Sequence, residues 1–277
     1  MTLADRTHAR TPDGTRLAVY EWGNPGGPEI LLVHGFAQCH LCFRPQYESA
    51  LAGRFRIVAY DQRGHGESEQ PAEPAAYQGS RVWADDLAAV LAAKRLERPV
   101  LVGWSMGGRV LRQYLINYGD ARLAGINFVA SLVIEEANCR GPDGPKRPPE
   151  DQTLEAEIEA AIAFLDGCFS RKPSESEFRR ALAYNVRVPA AVRRAISGWS
   201  TDPAETMTAL RKVRVPTLIT HGRNDTVVLP AAADMTAAAI PHAQLSWFDG
   251  CGHSPFCEDA GRFNDELMKF VHFCQAR

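Results

Sequence analysis

A series of short apolar runs, each cut off by a glycine, histidine or aspartate, constrains this chain more than any other feature. Glu29-Ile-Leu-Leu-Val33 stops at His34-Gly35, Phe55-Arg-Ile-Val-Ala-Tyr60 stops at Asp61, and Pro99-Val-Leu-Val102 stops at Gly103. Gly125-Ile-Asn-Phe-Val-Ala130, Val215-Pro-Thr-Leu-Ile-Thr220 and Gln244-Leu-Ser-Trp-Phe248 follow. Apolar and polar residues do not alternate within them, so both faces of each strand must be covered, as in a parallel sheet. Helical patterns lie between the runs. Trp83, Leu87, Val90 and Leu91 share a helix face that Ser80 can cap, and Val110, Tyr114 and Tyr118 recur at helical spacing. Phe263, Leu267, Phe270, Val271 and Cys274 form a last stripe. Thr7 to Trp22 reads as an opening hairpin that turns at Pro12-Asp13-Gly14. Repeated strand–helix order predicts an α/β fold with a mostly parallel, doubly wound sheet.

One stretch breaks the rhythm. From 133 to 208 no strand-like run occurs. A loop rich in proline and glycine, Gly141-Pro-Asp-Gly-Pro-Lys-Arg-Pro-Pro149, leads into helical patterns at Leu154–Leu165, Glu175–Tyr184 and Pro189–Ile196. The expected organisation is a core domain from 1–132 and 209–277 with a helical insertion, 133–208, between two of its strands. A chain of 277 residues is long enough for that arrangement.

Charge and cysteine content narrow the function classes. With 31 Lys+Arg against 33 Asp+Glu the net charge is −2, which gives no footprint for nucleic acid or an anionic membrane. Met1 to Gly14 is polar, without the apolar centre of a signal peptide, and no run approaches membrane-spanning length, so a soluble cytoplasmic protein is expected. Seven scattered cysteines suit small buried hydrophobes in a reducing compartment. Cys39 and Cys42 have redox or zinc spacing, but no second pair of similar spacing completes a site, so no metal is expected.

The chemistry centres on Gly103-Trp104-Ser105-Met106-Gly107, a G-x-S-x-G that follows a strand and opens a helix. So sharp a turn strains the serine backbone and projects its hydroxyl, and side chains two residues to either side would collide. A serine needs a base. Of eight histidines, His253 is best placed, in the glycine-flanked loop Gly250-Cys-Gly-His-Ser-Pro255 after the last strand. His34, His65 and His221 read as loop-holding residues, and His40 is a candidate to face the substrate. Asp225, in the loop after another buried strand, can orient the imidazole. Glu135, ending an earlier strand, is the substitute, whereas Asp249 lies too close to His253 in sequence. Backbone amides of Phe36 and Met106 are the expected oxyanion donors.

His34-Gly-Phe36, Asp61-Gln-Arg-Gly-His-Gly-Glu-Ser68, Gly103-Trp-Ser-Met-Gly-Gly108, His221-Gly-Arg-Asn-Asp225 and Gly252-His253 together resemble the α/β-hydrolase superfamily. Within it the chain looks like the branch of haloperoxidase-like esterases, lactonases and C–C bond hydrolases. The resemblance covers nearly the whole chain except the insertion, which corresponds to that family's variable cap. It implies the α/β-hydrolase fold, a catalytic triad of Ser105, Asp225 and His253, and no cofactor. Relatives with an aspartate nucleophile are set aside, because this chain has Ser105.

The function expected is hydrolysis of a small to medium, largely apolar carboxylic ester or lactone through an acyl-enzyme on Ser105. Phe36, Trp104, His40 and the cap residue Trp199 are the expected substrate contacts, with Phe164 and Phe169 as further cap aromatics. Arg179, Arg180, Arg193 and Arg194 are expected on a solvated face. The alternatives are C–C bond hydrolysis or another reaction on the same triad, and a receptor that binds a ligand with little turnover. A small-molecule substrate is the expected partner; whether the chain forms a homo-oligomer is left open.

Overall fold

The computed structural model describes residues 5–150 and 153–277. Its centre is an eight-stranded sheet in the order β1-β2-β4-β3-β5-β6-β7-β8. The strands are β1 (Asp5–Arg10), β2 (Arg16–Gly23), β3 (Glu29–Val33), β4 (Arg56–Tyr60), β5 (Val100–Trp104), β6 (Gly125–Val129), β7 (Thr217–Gly222) and β8 (Gln244–Phe248). β1 and β2 form the opening hairpin, paired from Asp5↔Glu21 to Arg10↔Arg16, and β2 also runs antiparallel to β4. All other pairings are parallel.

The interior non-alternating runs have the burial they require, whereas β8, at the sheet edge, is only partly buried. Every residue of β5, β6 and β7 is buried. One face of the sheet packs against α2 (Ser80–Ala93) and α3 (Met106–Tyr118) through Trp83, Leu87, Val90, Val110 and Tyr114. The other face packs against Phe263, Leu267, Phe270, Val271 and Cys274 of α10 (Ala260–Gln275). Each such buried side chain contributes roughly 1.5–3 kcal/mol by leaving water. Two small expectations fail. Tyr118 is exposed at the end of α3, where its hydroxyl meets Asp85, and the N-cap position of α2 belongs to Gly79 while Ser80 is the first helical residue.

Between β6 and β7 the chain leaves the sheet for α4 (Leu154–Gly167), α5 (Glu175–Asn185) and α6 (Ala190–Ser197), the expected helical insertion. Thr153 caps α4, and Ser174 with Glu177 forms a capping box on α5. The next helix, α7 (Pro203–Lys212), packs on α3 and so belongs to the layer covering the sheet. The expected boundary at 208 falls inside this helix, because its sequence carries the same amphipathic pattern as the cap helices and only its partner tells them apart.

Parallel register brings the strand ends to one edge. Val33 pairs with Tyr60 and Gly103, Trp104 with Val129, Val129 with Thr220, and Gly222 with Phe248. The loops that begin at His34, Asp61, Ser105, Arg223 and Asp249 therefore leave the sheet together, under the inserted helices.

Candidate active site

Ser105 sits between β5 and α3 with φ 53° and ψ −116°, a backbone conformation a side chain rarely adopts and one that costs about 1–3 kcal/mol. The glycines around it have no room for a side chain. A Cβ on Gly107 would lie 2.1 Å from the Val33 carbonyl oxygen, and one on Gly103 would lie 2.8 Å from the backbone of Gly107. The turn is therefore over-determined by its neighbours and holds the serine only partly covered, at the helix N-terminus.

Asp225 and His253 meet on the base side. His253 Nδ1 donates to Asp225 Oδ2 at 2.8 Å, while Asp225 Oδ1 accepts the Val227 and Val228 amides at 2.9 Å each. His221 Nε2 adds a contact at 3.1 Å to the same Oδ2 and one at 2.9 Å to the Val228 carbonyl. Burial alone would raise the Asp225 pKa, but the His253 charge and hydrogen bonds from His221 and His253 outweigh it and hold the carboxyl well below the usual range. The other ring nitrogen, His253 Nε2, is buried and has no hydrogen-bond partner among the described residues. Trp104, the residue before Ser105, packs on His253: its indole N–H donates to the His253 carbonyl at 2.8 Å, and its ring lies 5.6 Å from the imidazole. The Ser105 hydroxyl and Nε2 are not yet hydrogen-bonded to each other; such contacts commonly tighten only when substrate is present.

On the other side of the serine lies the loop after β3. A Cβ on Gly35 would stand 3.2 Å from that of Ser105. Ala37 is held at φ 55°, with its amide donated to His65 Nε2 at 3.1 Å, and the Gln62 amide donates to His34 Nε2 at 2.9 Å. Each of these rings gives its Nδ1 proton to a backbone carbonyl, Gly35 for His34 and Arg63 for His65. Burial pushes the His34 pKa down to about 4 and that of His65 to about 3, so both are neutral at pH 7. The Phe36 and Met106 amides donate to no protein acceptor among the described residues.

A cavity of about 640 Å³ opens beside Trp104 and Ser254, neighbours in sequence of Ser105 and His253; Phe169, Tyr184, Phe256 and Gln38 line it together with charged side chains such as Arg171, Glu177 and Arg180. Gln38 Nε2 and Ser254 Oγ are buried without partners among the described residues. A second hollow of about 550 Å³ runs between Phe36, Phe164 and the proline-rich loop; the Phe36 and Phe164 rings meet edge to face at 6.0 Å.

Two expected substrate contacts are engaged elsewhere. The His40 ring stacks on Tyr20 at 3.6 Å and hydrogen-bonds Asp61 Oδ1 at 2.9 Å. Trp199 stacks on Trp83 at 4.8 Å with the Arg109 guanidinium 4.2 Å from its ring, which fastens the cap to α2 and α3. Glu135 is surrounded by Arg109, Arg112 and Arg140 at 2.9–3.1 Å, and Asp249 faces solvent beside Arg223; neither shares a contact with His253. Of the cap arginines, Arg193 is not solvated: it donates to the Val188 carbonyl and to Asn185 at the end of α5.

Cys39, His40 and Asp61 place three potential metal-ligand atoms within 4.8 Å of one another. The donor set does not suit a metal. Asp61 already accepts the His40 and Glu67 amides and the His40 ring, and burial holds the Cys39 group as a thiol.

Sequence reasoning treated His221 as structural and did not single out Glu258, although both touch the triad loops. His221 lies four residues before Asp225, but spacing in a loop carries no periodicity from which a shared carboxylate could be read.

Known proteins resemble this chain over nearly its whole length. The sequence profile of the "Alpha/beta hydrolase family" matches residues 30–266. An alpha/beta hydrolase superfamily protein of Bacillus subtilis is 27% identical over 268 residues, 95% of this chain and 98% of that one. A bifunctional esterase/perhydrolase of Acinetobacter calcoaceticus is 28% identical, covering 95% and 99%. Among solved structures, a Burkholderia cenocepacia protein assigned as an aryl esterase superimposes with a TM-score of 0.92 at 32% identity, over 98% of this chain and 100% of that one. The esterase RhEst1 of a Rhodococcus species gives 0.88 at 32% identity, over 96% and 98%. No helix among the described residues is long and apolar enough to cross a membrane. Elbow, strand-end loops and full-length likeness converge, and the chain belongs to the alpha/beta hydrolase family.

Proposed function

We propose that this protein is a serine esterase that cleaves small to medium, largely apolar carboxylic esters, or lactones, through an acyl-enzyme on Ser105. The observation that carries this reading is the hydrogen-bonded Asp225–His253 pair, whose free Nε2 is buried one tryptophan away from a strained serine. Esterases among the full-length relatives support the same substrate class.

The steps follow from the geometry. Ser105 attacks the carbonyl carbon as His253 Nε2 takes its proton. Asp225, held as a carboxylate, keeps the other ring nitrogen protonated and stabilises the imidazolium. Negative charge forms on the carbonyl oxygen, and the Phe36 and Met106 amides, which have no acceptor among the described residues, receive it. The imidazolium then protonates the departing alkoxide. Water, deprotonated by the same nitrogen, releases the acid and frees Ser105.

The cavity beside Trp104 sets the preference. Trp104, Phe169, Tyr184 and Phe256 give the cavity an aromatic part that suits an apolar acyl or aryl group, while Arg44, Glu48, Arg171, Lys172, Glu177 and Arg180 make the rest of its wall charged. Gln38 Nε2 favours a substrate with an acceptor in reach, since a buried donor left unpaired costs roughly 1–3 kcal/mol.

The test is labelling with a fluorophosphonate, peptide mapping, and hydrolysis of p-nitrophenyl esters by wild type and Ser105→Ala. The expected result is an adduct on Ser105 and a loss of roughly 10⁴-fold or more in kcat for the variant, which keeps the wild-type fold. An unlabelled Ser105, or an alanine variant with wild-type turnover, overturns the reading.

A further inference from the structure

Glu258 does not belong to the triad, yet its carboxylate accepts four backbone amides. Oε1 accepts the amides of Gly252 at 2.9 Å and Ser254 at 3.2 Å, the two residues that flank His253. Oε2 accepts the amides of Ser170 at 2.9 Å and Arg171 at 2.8 Å, in the cap segment between α4 and α5. One carboxylate therefore bridges two loops that are more than eighty residues apart in sequence.

The surroundings reinforce this bridge. A Cβ on Gly252 would lie 2.8 Å from the Ser170 amide nitrogen, so the cap segment rests against the base loop with no room for a side chain between them. Asn224, the residue before Asp225, donates to Ser170 Oγ at 3.1 Å, so the same cap segment also touches the acid loop. Glu258 itself is fixed at the end of a short helix, α9 (Pro255–Glu258), whose Cys257 and Glu258 amides both donate to the Ser254 carbonyl at 2.9 Å.

We propose that Glu258 is a positioning residue that straps the cap to the catalytic histidine loop, so that a seated cap and an aligned His253 are one state. Charge-assisted bonds to amides are short and strong, and four of them converge on a single side chain. Lifting the cap segment frees Oε2 and relaxes the bracket that Oε1 places around His253. Glutamine in this place keeps the size but turns one oxygen into an NH₂ group that faces amide donors. One pair of amides loses its acceptor, and the bracket opens on that side.

The inference rests on the esterase reading for its kinetic consequence and on hydrogen exchange for its structural one. In Glu258→Gln, exchange at the Ser170, Arg171, Gly252 and Ser254 amides accelerates together, whatever the activity. On p-nitrophenyl esters, kcat per fluorophosphonate-titrated site falls roughly 10- to 100-fold while KM changes less than about threefold, because misplacing a base by a fraction of an ångström acts on the transition state. Titration counts only folded sites, so a purely structural role would lower the count and leave kcat per site unchanged. Arg171→Pro removes a cap amide and leaves the Asn224 bond to Ser170 in place; it lowers kcat per site as well, and combining it with Glu258→Gln adds less than the product of the two effects. Wild-type kcat per site in Glu258→Gln, or accelerated exchange confined to one of the two loops, overturns the strap. If wild type itself neither labels nor turns over, the esterase reading falls, and the exchange pattern still decides whether the two loops are joined.

Discussion

The two sides of Ser105 are built from the same device, charged on one side and neutral on the other. On the base side, backbone amides are gathered by carboxylates: Asp225 takes Val227 and Val228, and Glu258 takes Gly252 and Ser254. On the oxyanion side, the amides of Gln62 and Ala37 are gathered by the neutral imidazoles of His34 and His65. In the proposed mechanism the difference follows what each side must do. A base that becomes an imidazolium is helped by nearby negative charge. An oxyanion is hindered by it, so the amides next to Phe36 are fixed by acceptors that carry no charge at pH 7. The carboxylate nearest that loop, Asp61, is spent on the His40 and Glu67 amides further along the chain. Shape alone would let either acceptor hold either loop; charge makes them non-interchangeable.

The comparison breaks first on the charged side. Asp225→Asn keeps the volume and removes the charge, so His253 loses both its favoured tautomer and its counter-ion; a fall of roughly 10⁴-fold in kcat is expected. Steady-state rates on a p-nitrophenyl ester check it, and a loss below tenfold would mean that another carboxylate supports the base. The neutral side should cost less. His65→Leu leaves the Ala37 amide without an acceptor and frees the loop that aims the Phe36 amide, so kcat falls by about 100-fold with KM little changed, the size of one lost oxyanion donor. A matching loss in His65→Glu would contradict the charge argument, which requires the glutamate to be the worse of the two.

Much of this was readable in the sequence, for a physical reason in each case. Strands buried on both faces leave continuous apolar runs, so β3 had the expected limits; β8 had them too, although as the edge strand it is only partly buried, and the elbow was visible because steric crowding admits only glycine at 103 and 107. Asp225 and His253 could be chosen because each lies in a short loop after a parallel strand, and parallel strands end at one edge. Side-chain partners in the cap and loops were not legible. Trp199 packs on Trp83, and His40 on Tyr20 and Asp61, through contacts between distant segments that no local spacing encodes. Glu258 escaped notice for a related reason: its partners are backbone amides, which any sequence supplies.

The smallest effect separates the two sides through stability. His34 and His65 have folded pKa values near 4 and 3 against an ordinary 6.5, so below pH 6.5 the unfolded chain binds two protons that the folded protein refuses. Stability is therefore fully present above pH 6.5 and is lost as pH falls toward 4. Asp86, buried with Arg63, works the other way: burial lifts its pKa to about 6 from 3.8, so the folded protein takes up a proton the unfolded chain does not hold until lower pH. Two histidines against one aspartate leave a net difference of one proton, so stability falls by on the order of 1 kcal/mol per pH unit between roughly pH 6 and 4. Urea titrations at half-unit steps would measure the slope. His65→Leu removes one of the two histidines, so His34 and Asp86 cancel and the slope flattens. A slope unchanged in that variant would show that His65 is charged in the folded protein, and the oxyanion loop would then have lost the neutrality that distinguishes it from the base side.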